Sequence, residues 1–408
     1  MALFAARRGV LWVMMKRPPF PISAQGIDTE PSAERSASLP TTPPGRKELG
    51  GRLAGLTLPQ QVMVLAIWPF MEQVLNLMVG TVDLSLAGRL EPRAVTVAAL
   101  DALGVAGFMG WLMGTVLGSV GVGSTALIAR ATGARQRSLA NAALCQSLVL
   151  GVIVGALSGI VLYVAAPAIG RLISLDGLSL EFVVVYLRLV ALAAPAQALL
   201  FIGNACLRGS GDTRTPFTVM IVVNVVNIST SWLFVFGPAP FGGQQVRGIA
   251  AGTVVAWCCG AAIIVITLLR GRAGMQLRPH RLRPHWHTIR RIIRVGVPNL
   301  LETVGGTWLA TFAVLMIVGW FAVEGLVGAH MIAIRVESFS FQPGFALGIA
   351  AATLAVQYLG LGDPERARRG VLLCSLYAAI AMSTMGGAFI IMPGWVARII
   401  TSDALMIS

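Results

Sequence analysis

The sequence predicts an all-α polytopic membrane protein, and three observations carry that prediction. Charged residues make up only 12% of the 408-residue chain and hydrophobic residues 56%; a soluble domain normally carries about a quarter of its residues as charges. Mean hydropathy is +0.78. The apolar residues fall in blocks of roughly 20, the helix length that crosses a hydrocarbon core of about 30 Å. Barrel strands would instead be short and alternating.

Taken in order, residues 1–55 form a tail rich in Pro, Ser and Arg, including SAERSASLPTTPPGRKELGG. Its apolar run, Val10 to Met15, is too short for a signal-peptide core. A disordered cytoplasmic extension is expected. Nine spans follow, near 60–86, 97–120, 141–167, 182–205, 215–237, 247–269, 296–320, 325–351 and 370–395. They group into an N-terminal six-helix lobe over 56–270, a basic cytoplasmic linker over 271–295, and three helices of a second lobe over 296–408. Gly107, Gly110, Gly114, Gly118 and Gly121 give the second span a small-residue spacing that lets membrane helices approach closely.

Net charge is +14, which raises a nucleic-acid partner as a possibility to be tested by location. With the N-terminus inside, 24 Lys and Arg fall in the tail and inner loops and five in outer loops: Arg89, Arg93, Arg171, Arg247 and Arg398. The positive-inside rule therefore places the N-terminus in the cytoplasm and the chain in a cell inner membrane. It absorbs the basic excess without any nucleic acid.

The five Cys lie within or beside apolar blocks, without metal or redox spacing, and read as packing residues. There is no HExxH, no Walker loop and no Ser-His-Asp arrangement. Gly209-Ser-Gly-Asp212 lacks the lysine of a phosphate loop. Neither an enzyme nor direct ATP driving is expected. No cofactor is expected beyond a coupling ion.

An internal repeat appears at an offset of 227 residues. GVGSTALIARATGARQRSLAN at Gly121–Asn141 matches GIAAATLAVQYLGLGDPERAR at Gly348–Arg368 through Gly121/Gly348, Leu127/Leu354, Gly133/Gly360 and Ala140/Ala367. The same offset aligns Arg171–Asp176 with Arg398–Asp403, and Pro69 in the first span stands near the equivalent of Pro298 in the seventh. The copies share one orientation, because six spans separate equivalent helices. A 6 + 6 protein is expected, of which this chain lacks the last three helices.

Five acids fall within spans: Glu72, Asp83, Asp101, Glu302 and Glu337. A carboxylate there is costly and functional by default. Low dielectric disfavours its charged form, so such a group exchanges a proton or cation as its surroundings change. Asp83 lies 14 residues after Pro69, about 21 Å along one helix, in the outer half of the first span. An Asp at the outer interface, held by water, is the plainer account of it. Glu72 and Glu302 stand three and four residues after Pro69 and Pro298, as readily structural as part of a polar cavity. Arg335 and Glu337, two apart in a helix, do not face each other. Asn224, Asn227, Ser229, Thr230 and Ser231 crowd the fifth span and should face the bundle interior, with Thr253 in the sixth. Phe108 and Trp111 are aromatic cavity candidates.

These residues resemble the multidrug and toxic compound extrusion (MATE) family. The resemblance runs from Pro69…Asp83 with Ala87-Gly88, through Gly121…Thr125-Ala-Leu and Gly133-Ala134, to Leu207-Arg-Gly-Ser-Gly-Asp-Thr-Arg-Thr-Pro216 and Gly360-Leu-Gly-Asp-Pro364. It covers about 56 to 408. The resemblance implies a two-lobed antiporter that rocks between inward- and outward-open states. Such antiporters expel organic cations or other amphipathic compounds in exchange for H+ or Na+. It assigns Asp83 to the cation-coupling site, with Asn227 and Thr253 as polar neighbours. Ser231 stands where one branch has a second Asp, and Gly306 where other branches carry a Glu. A lone Asp83 then favours H+ over Na+, which wants a fuller oxygen cage. The expected function is export of small amphipathic molecules by a monomer in the bilayer. The rival readings are a lipid-linked oligosaccharide flippase of the same superfamily and a non-transporting membrane remnant.

Overall fold

A computed structural model describes residues 49, 53–172, 175–278, 283–320 and 326–391. Most of the expected tail and the Arg398–Asp403 repeat partner lie outside the described residues, as do the side chains of Arg335 and Glu337. The described residues are almost wholly helical. Eleven α-helices follow in order: α1 Leu58–Ala87, α2 Arg93–Gly133, α3 Arg137–Leu172, α4 Gly177–Leu192, α5 Ala194–Gly209, α6 Arg214–Phe236, α7 Gln245–Arg270, α8 Trp286–Thr303, α9 Leu309–Trp320, α10 Leu326–Leu361 and α11 Pro364–Ile391. A π-helical turn, Val304–Trp308, joins α8 to α9.

Seven helices are each long and apolar enough to cross a membrane, and α4 with α5 makes an eighth span bent by 55°. The bend has a local cause. Pro195 stands at the start of α5, so it supplies no N–H to continue the α4 ladder. The seventh expected span is likewise not one straight helix: α8 passes through the π-helical turn at Gly305 and Gly306 into α9. A wider turn at paired glycines is where a helix kinks at low cost.

Two boundaries differ from the expected ones. The linker expected over 271–295 ends early, because α8 already begins at Trp286. Its first turns are amphipathic, with Ile289 and Ile292 buried and Arg290, Arg291 and Arg294 more open. The second span, expected to end near 120, continues as helix to Gly133. Hydropathy falls off before the helix does, because Ser124, Ile128, Ala129 and Ala131 remain buried against other helices.

Helix ends alternate, so the described arginines divide between the two ends of the bundle. Arg130, Arg135, Arg137, Arg208, Arg214 and those of 270–294 and 366–369 gather at what is here termed the basic end; Arg89, Arg93, Arg171 and Arg247 lie at the other. Two apolar cores fill the first half. One joins Leu86, Ala99, Val183, Leu187 and Ile249 toward the opposite end. The other joins Ile128, Leu144, Leu200, Ile202 and Ile264 toward the basic end.

The first half (α1–α7) meets the second (α8–α11) mainly through α2 against α8 and α10, and α1 against α10. The repeat appears here as a contact. A methyl group at Gly133 would overlap the backbone of Gln357, and one at Gly360 would overlap the backbone of Arg130. Arg130 and Gln357 are themselves equivalent at the 227-residue offset, so the contact is reciprocal. Beside it, Leu65, Ala66, Leu354 and Tyr358 close a core shared by both halves. Tyr358 Oη donates to Gln61 Oε1 at 2.7 Å, and Gln357 Nε2 donates to the Gly209 carbonyl at 3.1 Å. The seam reaches toward the middle of α2, where Phe108 stacks on Trp308 with centroids 4.9 Å apart.

Alanine is the better helix former, yet Gly133→Ala and Gly360→Ala are each expected to lower stability by about 1–3 kcal/mol, because the added methyl meets backbone rather than a movable side chain. Gly107→Ala, where nothing lies within 4 Å, is expected to be neutral or mildly stabilising. Thermal unfolding of the purified variants checks the contrast.

Candidate functional site

Asp83 projects from α1 in the half of the helix away from the basic end and is 4% exposed. Three helices present polar groups to it. Thr253 of α7 places Oγ1 at 3.3 Å from Asp83 Oδ2 and 3.2 Å from the Ile249 carbonyl. Asn227 of α6 donates from Nδ2 to Thr253 Oγ1 at 3.1 Å and itself faces the Asp83 carboxylate. Tyr186 of α4, buried, sets its hydroxyl against Thr253 and within electrostatic reach of Asp83.

The sequence-predicted trio of Asp83, Asn227 and Thr253 is therefore brought together. Ser231, one turn beyond Asn227, is buried in the α6–α7 seam, where Gly252 packs closely over it and its hydroxyl sits 3.5 Å from the Ile249 carbonyl. The expected inward face of α6 is present as Asn224, Asn227 and Ser231, whereas Ser229 is exposed. Tyr186 was not read from the sequence. One tyrosine inside an apolar block carries no periodic signal, and only the packing of α4 against α7 and α2 places it.

The hydrogen bonding is incomplete in a telling way. Asp83 Oδ1, Asn227 Oδ1 and Asn224 Oδ1 are buried without a partner. A buried polar atom left unpaired costs free energy, so its persistence asks for a partner. Asp83 Oδ1, with Asn227 beside it, is an acceptor that a proton or small cation would satisfy.

Glu72 behaves differently, although it lies on the same helix. Arg208 of α5 places Nη1 at 2.8 and 3.0 Å from its two carboxylate oxygens, with both side chains largely buried. The pair joins α1 to α5 and leaves Glu72 outside the Asp83 group. Glu302 is exposed on α8 in the other half and is not part of it either. The polar cavity expected from Glu72, Ser231 and Glu302 thus does not form around one point. Neutralisation by Arg208 and location in different halves separate these residues. Asp101, also apart from this group, accepts from Ser179 Oγ at 2.8 Å.

The motif Leu207–Pro216 has a structural logic. Arg208 neutralises Glu72, and Gly211 takes φ +91° in the α5–α6 turn. Asp212 then caps α6, accepting from Thr215 N and Oγ1 at 3.2 and 2.7 Å and from Arg272 Nε at 2.9 Å. Burial by itself would raise the Asp212 carboxyl. The Thr215 hydrogen bonds and the Arg272 guanidinium outweigh it and hold the group below the usual carboxylate range.

The MatE family model matches residues 69–233 and 303–408. The chain belongs to the MATE family. A probable multidrug resistance protein NorM of Thermotoga maritima is 30% identical over 358 residues, covering 85% of this chain and 73% of that protein. The multidrug resistance protein PmpM of Pseudomonas aeruginosa is 26% identical, covering 80% and 68%. An FAD transporter of Shewanella oneidensis is 26% identical, covering 62% and 56%. Among solved structures, the outward-facing conformation of a multidrug resistance MATE family transporter superposes with a TM-score of 0.76 at 21% identity, covering 86% of this chain and 76% of that one. The fold is thus that of MATE transporters, and the chain is a multi-pass membrane protein.

Glu72→Gln is expected to cost about 3–5 kcal/mol by leaving Arg208 charged and buried without its counter-ion, and Glu72→Gln/Arg208→Met to recover much of it. Denaturation of the single and double variants measures this. Because Asp212 has a lowered folded-state value, its contribution is present above the unfolded carboxylate value of about 4 and is lost as pH falls through the folded one. Asp212→Asn should therefore flatten the acid limb of a melting-temperature profile.

Proposed function

We propose that this MATE transporter exports small amphipathic or cationic organic molecules in exchange for H+, with Asp83 as the coupling residue. The observation that carries the reading is the buried Asp83 carboxylate, one of whose oxygens is unpartnered beside Asn227 and Thr253. No Lys or Arg neutralises it there among the described residues. A proton on Oδ1 removes the cost of a bare charge at that depth. Losing the proton restores an acceptor that draws the Asn227, Thr253 and Tyr186 groups toward it. Proton occupancy thereby biases how α1 packs against α4, α6 and α7, which links the proton to alternating access.

The basic end is taken to face the cytoplasm of a cell inner membrane, by the positive-inside rule. One inward proton then supplies about 1.4 kcal/mol per pH unit and about 2.3 kcal/mol per 100 mV. A neutral substrate exchanged one-for-one gains both terms, a monovalent cation only the first. The multidrug names of NorM and PmpM support small organic substrates and favour this reading over an oligosaccharide flippase. A division into an N-terminal lobe over 56–270 and a second lobe after it belongs to the same proposal.

Efflux of a fluorescent cationic dye from drug-sensitive cells tests it. Asp83→Asn at equal membrane expression is expected to lower efflux about tenfold or more, and a protonophore to abolish it in the wild type. Replacing external Na+ by choline should leave the wild-type rate unchanged. Efflux that survives Asp83→Asn would remove the coupling assignment, and efflux that follows Na+ would replace the ion.

A further inference from the structure

Arg188 lies within a membrane span, in α4 and about 16 Å from the helix start at Gly177. An arginine at such a depth is costly and ordinarily pairs with a carboxylate or faces the bundle interior. Arg188 does neither. None of the ion pairs among the described residues includes it. Glu181, Val185, Arg188 and Leu192 recur at helical spacing on one face of α4, and Leu192 is 69% exposed. Tyr186, two residues away, turns in another direction, toward Thr253 and Asp83.

The neighbouring α3 presents Leu157, Ile160, Val161 and Val164 on its own outward face, 59–72% exposed. Tyr163 stands at the edge of that stripe, and Arg188 Cζ lies 5.0 Å from its ring centroid. A cation over a ring satisfies the face of the guanidinium, not the N–H groups that radiate in its plane. Arg188 Nε is buried without a hydrogen-bond partner. Helix side chains lean toward the N-terminus, which for α4 is the end away from the basic one. Arg188 therefore reaches from an apolar face toward the headgroup layer at that end.

We propose that Arg188 and the outward face of α3 and α4 bind an amphiphile with a net-anionic head, a carboxylate or a phosphate. The head supplies acceptor oxygens in the plane of the guanidinium fork, and the acyl chain lies along Leu157, Ile160, Val161 and Val164. A second copy of this chain fits the face less well. A symmetric partner would bring its own Arg188 toward the first, and Glu181, the acid of that face, is already engaged by Arg247 at 3.3 Å. Binding is independent of the coupling role proposed for Asp83.

The test uses the purified full chain in a neutral maltoside detergent and reads the unfolding midpoint. One arm titrates oleate against methyl oleate, which keeps the chain and loses the charge. The other titrates phosphatidylglycerol against phosphatidylcholine of the same acyl chains. A saturable rise with the anionic member alone is expected, in the first arm for a carboxylate head and in the second for a phospholipid. Arg188→Gln should weaken the apparent affinity about tenfold or more. Its ligand-free midpoint should stay at or above the wild-type value, because an uncompensated charge has left the span. Arg188→Lys keeps the charge without the fork and should bind with intermediate affinity. Arg89→Gln, exposed at the same end and outside the site, should respond as the wild type does. The contrast between oleate and methyl oleate stands without any variant. No anion-selective rise in either arm, or an equal rise in Arg188→Gln, would overturn the proposal. Light scattering that finds a dimer in the wild type and a monomer in Arg188→Gln would give the face to a second copy and overturn it as well.

Discussion

The close crossing of α2 and α10 is the contact on which the rest of the seam depends. Gly133 and Gly360 remove the two side chains that would hold the helices apart, and each then lies against backbone of the other helix. Because the four residues exchange under the repeat, the contact is self-complementary, as in a two-fold dimer of separate chains. Only at that separation can Gln357 reach the Gly209 carbonyl and Tyr358 reach Gln61. The extension of α2 to Gly133, well beyond its apolar block, serves this crossing and not the span itself.

Within the first half, two acids on α1 meet opposite fates. Glu72 finds a guanidinium on α5, so its charge is compensated and its oxygens are occupied. Asp83, eleven residues on, finds hydroxyl and amide groups that orient it without cancelling its charge. A compensated pair resists change, since removing either partner strands the other. An uncompensated carboxylate remains open to a proton or cation. The same cost of intramembrane charge thus yields a strut in one place and a coupling candidate in the other.

Much of this was legible in the residues. Asp83, Asn227 and Thr253 carry the family pattern and do converge, and the 227-residue offset reappears as matching helix starts at Arg137 and Pro364. The illegible parts share a cause. Tyr186 is one ring in an apolar block, and its approach to Asp83 depends on how α4 turns after packing. Glu72 reads as readily structural as part of a cavity, and the sequence does not decide between the two because its partner, Arg208, lies 136 residues away. Glu302 echoed Glu72 by its spacing from a proline, yet it faces away in the other half.

The sequence by itself determined the membrane helices, the division of arginines between two ends, the duplication and the presence of acids within the spans. Those properties are written in local hydropathy, charge and spacing, which the bilayer reads one helix at a time. The tertiary structure decided which charges are neutralised, where spans bend and which repeat-related glycines touch. Each of these depends on which faces of distant helices meet, and short-range pattern does not encode that choice.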